Sequence, residues 1–153
     1  MKKLLLSTVA VLGLAACSSA SSDMLRLETK IATPQAIEHH NYELIYVNGK
    51  EFEAEDDDAP RPFIAFGENM NITGTMCNNF FGQGILTKRG ILSAKGAGMT
   101  RMMCTDPILN QLDTDISTLL EHGAEAVISD NGEYLKLSNT AIQLEFKRAD
   151  KMR

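Results

Sequence analysis

The sequence predicts an α+β fold, mostly β: a curved antiparallel sheet or partly closed barrel of about eight short strands with one packed helix. Three observations lead there. Short apolar runs of four to eight residues are separated by Gly, Asn, Asp and Pro throughout the chain, the pattern of an antiparallel meander. Only one stretch, after Asp106-Pro107, carries helical periodicity for several turns. From Gly74 to Cys104 the chain holds two cysteines with five glycines between them, spaced by further apolar pairs, which suits sheet structure tied at both ends.

The chain has 153 residues, 44% apolar and 23% charged, without tryptophan, and a formal net charge of −5. That is one domain with a short appendage, large enough for a real core. No basic cluster is visible, so nucleic acid is not an expected partner.

Met1-Lys2-Lys3 followed by the apolar run Leu4–Leu14 has the layout of an export signal, too short to span a bilayer, which needs roughly 20 residues. It ends in Leu14-Ala15-Ala16-Cys17, which resembles the bacterial lipobox. The expectation is a lipoprotein signal peptide over 1–16, acylation of Cys17, a flexible Ser-rich tether over 17–32 and a domain over 33–148. Removing the signal leaves 137 residues with 13 basic against 20 acidic side chains. Ser18 follows the cysteine where a retention signal for the inner membrane would carry Asp, so the resemblance implies an outer-membrane anchor with the domain facing the periplasm. Export permits disulfides. With Cys17 consumed by lipid, Cys77 and Cys104 remain as a pair. A bridge between them is the expectation, two buried free thiols the alternative.

Along the domain, Thr33-Pro34 suits a helix start, with one or two turns to His39. Adjacent His39 and His40 would diverge by about 100° on a helix and read as surface residues rather than a metal pair. Tyr42 to Val47 is a strand with 42, 44 and 46 on one face, turned by Asn48-Gly49, a type I′ signal, into a short return strand. The acidic run Glu55-Asp56-Asp57-Asp58 lacks the spaced ligands and glycine of a calcium loop and reads as solvated. Phe63–Phe66 and Met70–Gly74 are the next strands. Cys77 to Gly82 reads as a loop, Gly84–Thr87 and Ile91–Ala94 as a hairpin around Lys88-Arg89-Gly90, and Gly96 and Gly98 as a looser link.

Asp106 is an N-cap with Pro107 at N1; apolar residues at 108, 109, 112, 116, 119 and 120 form one stripe, and Gly123 ends the helix. A single stripe means the helix lies on the sheet. The remainder is a meander: 126–128, 134–137 and 141–146, with Ile142, Leu144 and Phe146 inward and Gln143, Glu145 and Lys147 wet.

Gly74-Thr75-Met76-Cys77-Asn78-Asn79-Phe80 with Gly82, and Thr100-Arg101-Met102-Met103-Cys104 before the helix, resemble the META/HslJ domain family, over Thr33 to Phe146. The resemblance implies a heat-inducible envelope lipoprotein linked to novobiocin resistance, with no known catalytic activity, and a fold similar to that of a pilot lipoprotein assisting secretin assembly. The chain departs from the pattern in its acidic insertion, Glu51 to Asp58, and in Tyr42 where many such domains carry Trp.

No residue set proposes a reaction. There is no GxSxG elbow, no histidine near Cys77 and no phosphate-binding glycine fingerprint. Met99, Met102 and Met103 could attract Cu(I) through their thioethers, but core packing is the plainer account. The expected roles are therefore attachment at Cys17, a disulfide at Cys77 and Cys104, and a binding surface including Asn78, Asn79 and Arg101, the last either exposed on a rim or paired inside. No catalytic residue, metal or cofactor is expected. Expected partners are the membrane, through the anchor, and another envelope protein; the chain itself is expected to be a monomer. The alternatives are a carrier holding a small apolar ligand in the barrel, or a pilot-like assembly factor.

Overall fold

The structure, a computed structural model, describes residues 27–56 and 58–150. The signal segment, Cys17 and most of the tether lie outside these residues. Twelve strands and two helices follow one another as β1 (Thr29–Ile31), α1 (Pro34–Ile37), β2 (His40–Val47), β3 (Lys50–Glu51), β4 (Phe63–Phe66), β5 (Asn71–Thr75), β6 (Asn79–Gln83), β7 (Ile85–Leu86), β8 (Ile91–Ser93), β9 (Gly98–Met99), α2 (Pro107–His122), β10 (Ala124–Ser129), β11 (Tyr134–Ser138) and β12 (Gln143–Arg148). The strand count exceeds eight because five strands are only two or three residues long.

All strands belong to one antiparallel sheet, ordered β7-β8-β10-β11-β12-β2-β4-β5-β6-β9, curled into a half-barrel, with β1 on β10 and β3 on β2. Its closure comes from one kinked hairpin. The near-continuous segments β6–β7 and β8–β9 pair with each other at both ends: β6 with β9, and β7 with β8. The outer part of this hairpin pairs with β5 through β6, and the inner part pairs with β10 through β8. One supersecondary unit thereby joins both ends of the sheet.

The interior is filled. Tyr42, Leu44, Ile64, Phe66, Ile72, Phe80, Leu135, Leu137, Leu144 and Phe146 project inward and are buried; Leu112, Ile116, Leu119 and Leu120 of α2 meet them. The helix begins as the sequence requires: the Asp106 side chain accepts a hydrogen bond from the Ile108 amide, Pro107 follows, and Gly123 closes the helix at a φ of 96°. Ile108, however, is exposed.

Four local readings change. Thr29–Ile31 is not tether: it pairs with β10, and the following Ala32 is buried, so the folded part begins before residue 33. Cys77 to Gly82 is not a free loop, since β6 starts at Asn79, and Gly98 opens a short strand. Helix α1 stops at Ile37; His39 takes a left-handed conformation and His40 opens β2. Finally, Tyr46 does not share a face with Tyr42 and Leu44. Leu44 faces Phe146 while Tyr46 faces Glu145, which leaves Ile45 as an extra residue. This bulge returns Val47 to the core side. On the partner strand Glu145 is buried, not wet, and its Oε1 accepts a hydrogen bond from Gln143 at 2.6 Å.

Candidate functional site

The paired cysteines bring β6, the strap from Thr100 to Cys104 and the start of α2 together. Cys77 and Cys104 are bonded, with S–S 2.10 Å and their Cα atoms 5.9 Å apart. Sequence order places Asn78 next to this bridge, and Asn78 does most of the joining. Its Nδ2 donates to the Met102 carbonyl (2.9 Å) and to Asp113 Oδ2 (2.7 Å). Its Oδ1 accepts from the Met102 amide (2.6 Å) and the Thr100 hydroxyl (3.0 Å). The Asp113 Oδ1 in turn accepts from the Cys77 and Asn78 amides, both at 3.0 Å. Asn110 fixes the far end, donating to the Cys104 carbonyl and accepting from the Cys104 amide.

The carboxamide of Asn78 thus offers Met102 one donor and one acceptor, as a neighbouring strand would, and continues the ladder of β6 and β9 past its last backbone pair. Asn79 serves the same end. Its amide donates to the Thr100 hydroxyl, its carbonyl accepts from the Thr100 amide, and its side chain accepts from Thr75. Gly74 completes the motif. Phe80 lies opposite it in the register, and a Cβ at Gly74 would stand 2.3 Å from the Phe80 ring and 2.4 Å from the Phe63 carbonyl. Only glycine lets the ring lie flat across β5.

Of the three residues expected on a binding surface, Asn79 and Arg101 are exposed, but Asn78 is 4% exposed and is a buried fastener. Its place on a surface is corrected by its hydrogen bonds, which leave neither end of the amide free. Arg101 is on the rim, and among the described residues it has no ion-pair partner. Asp113 and Thr100 were not singled out from sequence. The signal for Asp113 was its place beside the apolar stripe, one residue after Leu112 and four after Leu109.

Beside the strap runs an open cleft of about 560 Å³, lined by Met99, Thr100, Arg101, Met102 and Met103 on one side and by Asp113 and Ser117 of α2 on the other. Thr100 and Met102 turn their amides toward Asn79 and Asn78. The amides of Arg101 and Met103 meet no acceptor among the described residues. Met102 and Met103 are 67% and 87% exposed, and Ile108 is close in sequence at 54%. The cleft holds no histidine. Among its polar side chains Asn78, Thr100 and Asp113 are engaged around the strap, Ser117 reaches the Met99 sulfur, and Arg101 stays unpaired. Among the described residues no group of three His, Cys, Asp or Glu could hold a metal ion.

A second cluster lies at the end of the chain. Asp150 accepts from the Asn41 amide at 3.1 Å, pairs with Arg148 and lies 3.0 Å from His40 Nδ1, an ion-pair approach without hydrogen-bond alignment. Burial pushes the Asp150 carboxyl up, but the Arg148 hydrogen bond, the Asn41 amide and the His40 and Arg148 charges outweigh it and hold it below its ordinary value. Inside, burial pushes the Tyr42 phenol up to about 12 against the pull of Arg148.

The comparisons with known proteins agree with this architecture. A family model described as META domain matches residues 35–151. The chain is 46% identical over 124 residues to the heat shock protein HslJ of Escherichia coli (strain K12), covering 80% of this chain and 84% of that protein. A solved NMR structure is similar over 80% of this chain and 99% of its own, at 43% identity and a TM-score of 0.70. An NMR structure of a protein from Burkholderia xenovorans, at 18% identity and a TM-score of 0.55 over 92% of this chain, shares the fold. The chain therefore belongs to the META domain family, and within it to the HslJ type.

Proposed function

We propose that this protein is a lipid-anchored envelope protein of the heat-shock type that works by binding, not by catalysis. It would support outer-membrane integrity and tolerance of heat and novobiocin. The observation that carries the binding reading is the strap. The side chains of Asn78, Asn110 and Asp113 are spent on holding it in place, while Arg101, Met102 and Met103 are held out to solvent. A fixed strap with exposed methionines and an uncompensated cation suits a protein partner, because thioether side chains adapt to apolar contacts. The anchor reading rests on Leu14-Ala15-Ala16-Cys17 and places the domain on the periplasmic side of the outer membrane. The carrier reading loses its main support, since the half-barrel is filled by its own side chains and the cleft lies outside it.

A photo-crosslinking residue at Met102, compared with one at Lys136 on β11, tests the binding surface in intact cells. A reproducible adduct with one envelope protein from position 102 alone is expected; equal yields from both positions would count against the strap. A bound lipid recovered by native mass spectrometry would favour the carrier. Cys17→Ser is expected to leave an unprocessed precursor that no longer fractionates as an acylated protein. In a deletion strain, the wild-type chain but not Cys17→Ser should restore growth under heat and novobiocin.

A further inference from the structure

The tip of the kinked hairpin meets the first strand of the domain. Along β10, residues 124 and 125 face Leu92 and Ile91, and residues 127 to 129 face Ile31 to Thr29. Between them the Ala126 amide donates to the Gly90 carbonyl, and the Ala126 carbonyl accepts from the Ala32 amide. The turn from Thr87 to Gly90 therefore emerges beside the end of β1, so close that a Cβ at Gly90 would lie 2.4 Å from Ile31 Cγ2.

This junction gathers two cations and two exposed apolar side chains on one corner of an acidic chain. Lys88 and Arg89 are exposed at the tip, and among the described residues neither has an ion-pair partner. Ile31 is 52% exposed and Ile85, two residues before the turn, 63%. Lys30 is already paired with Asp130, and Glu28 and Asp130 lie toward the other end of β1. The chain enters the fold at the other end of this three-residue strand, at most about 14 Å from Ile31, and ten steps of chain join Cys17 to Leu27, a reach of at most about 35 Å fully extended.

We propose that this tip rests on the headgroup surface of the bilayer holding the anchor, with Lys88 and Arg89 against anionic phospholipid and Ile31 and Ile85 at the interface. The inference rests on acylation of Cys17. Two cations would hold the domain weakly by themselves, since each basic residue at an anionic surface favours contact roughly fivefold. With the anchor supplying a high local concentration, that is enough to choose which face looks down. The Gly98–Cys104 end of the hairpin then looks away. Nine residues separate Gly90 from Met99, at most about 30 Å of strand, which lifts the strap off the headgroups.

The test uses the acylated protein in vesicles of phosphatidylcholine with and without 30% phosphatidylglycerol, a composition of roughly physiological charge. A fluorophore is placed at Ile85→Cys or at Ile108→Cys, and quenching by spin-labelled lipid is read. The expected result is quenching at 85 at least twice that at 108, stronger in the anionic vesicles, and reduced to the neutral-vesicle level by Lys88→Glu with Arg89→Glu. Equal quenching at 85 and 108, or no response to the double reversal, overturns the orientation while vesicle flotation stays intact. Loss of flotation by the wild-type protein overturns the anchored reading, and the orientation with it.

Discussion

Asn78 shows how one side chain can stand in for a strand. Its carboxamide is buried and makes four good hydrogen bonds, to the strap on one side and Asp113 on the other. Asn78→Ala should cost about 2–4 kcal/mol, because it leaves the Met102 amide and carbonyl and Asp113 Oδ2 without partners. Asn78→Asp is the sharper test. It keeps the shape but sets a carboxylate against Asp113, so at pH 7 it should destabilise more than alanine does and recover as acid protonates one of the pair. Urea midpoints at pH 7 and pH 5 would reveal this; identical losses at both would contradict the geometry. Gly74→Ala should cost about 3 kcal/mol or abolish folding, since neither the Phe80 ring nor the Phe63 carbonyl has room to give. Titration is legible at the same scale. Asp150 is depressed in the fold, so its contribution is present above the unfolded carboxyl value of about 4 and disappears as pH falls through the lower folded one. Asp150→Asn should flatten that part of the acid limb in a pH series of unfolding midpoints. Tyr42 is raised, so its contribution holds below about pH 10 and is lost between there and about 12; Tyr42→Phe should remove that alkaline limb. From sequence, Asn78 looked like a surface residue because polarity alone does not say whether partners wait inside.

At the scale of elements, the strap is the part most exposed to change. Replacing both Cys77 and Cys104 by serine should cost about 2–4 kcal/mol, and hydrogen exchange should accelerate from residue 100 to 104 before the core strands respond. Alkylation without reductant should find neither thiol free. Helix α2 was legible almost to the residue, because its cap, its proline, its stripe and its terminal glycine all point the same way. The hairpin at Asn48-Gly49 was equally legible, and both residues take the left-handed conformations a type I′ turn requires. Strand β1 was not. All three of its residues are exposed, so no alternation of apolar and polar side chains marks it, and backbone pairing with β10 is what makes it a strand. The bulge at Ile45 was hidden for a related reason: inserting one residue into β2 leaves its composition strand-like while exchanging the faces beyond it.

For the whole molecule, the mostly-β class with one packed helix followed from turn spacing and a single helical stripe. The manner of closure did not, because it depends on which distant strands the kinked hairpin meets. Both terminal strands of the sheet, β7 and β9, belong to that hairpin, and each is two residues long. Long bare edges are where partly heated β proteins zip onto one another, and short ones give such pairing little purchase. A protein built this way can lose its loops to heat and still offer its neighbours almost no template for aggregation. By the same token, lengthening β9 with a run of valines, rather than loosening the core, is the change that should make it precipitate on warming; turbidity on a temperature ramp would register it.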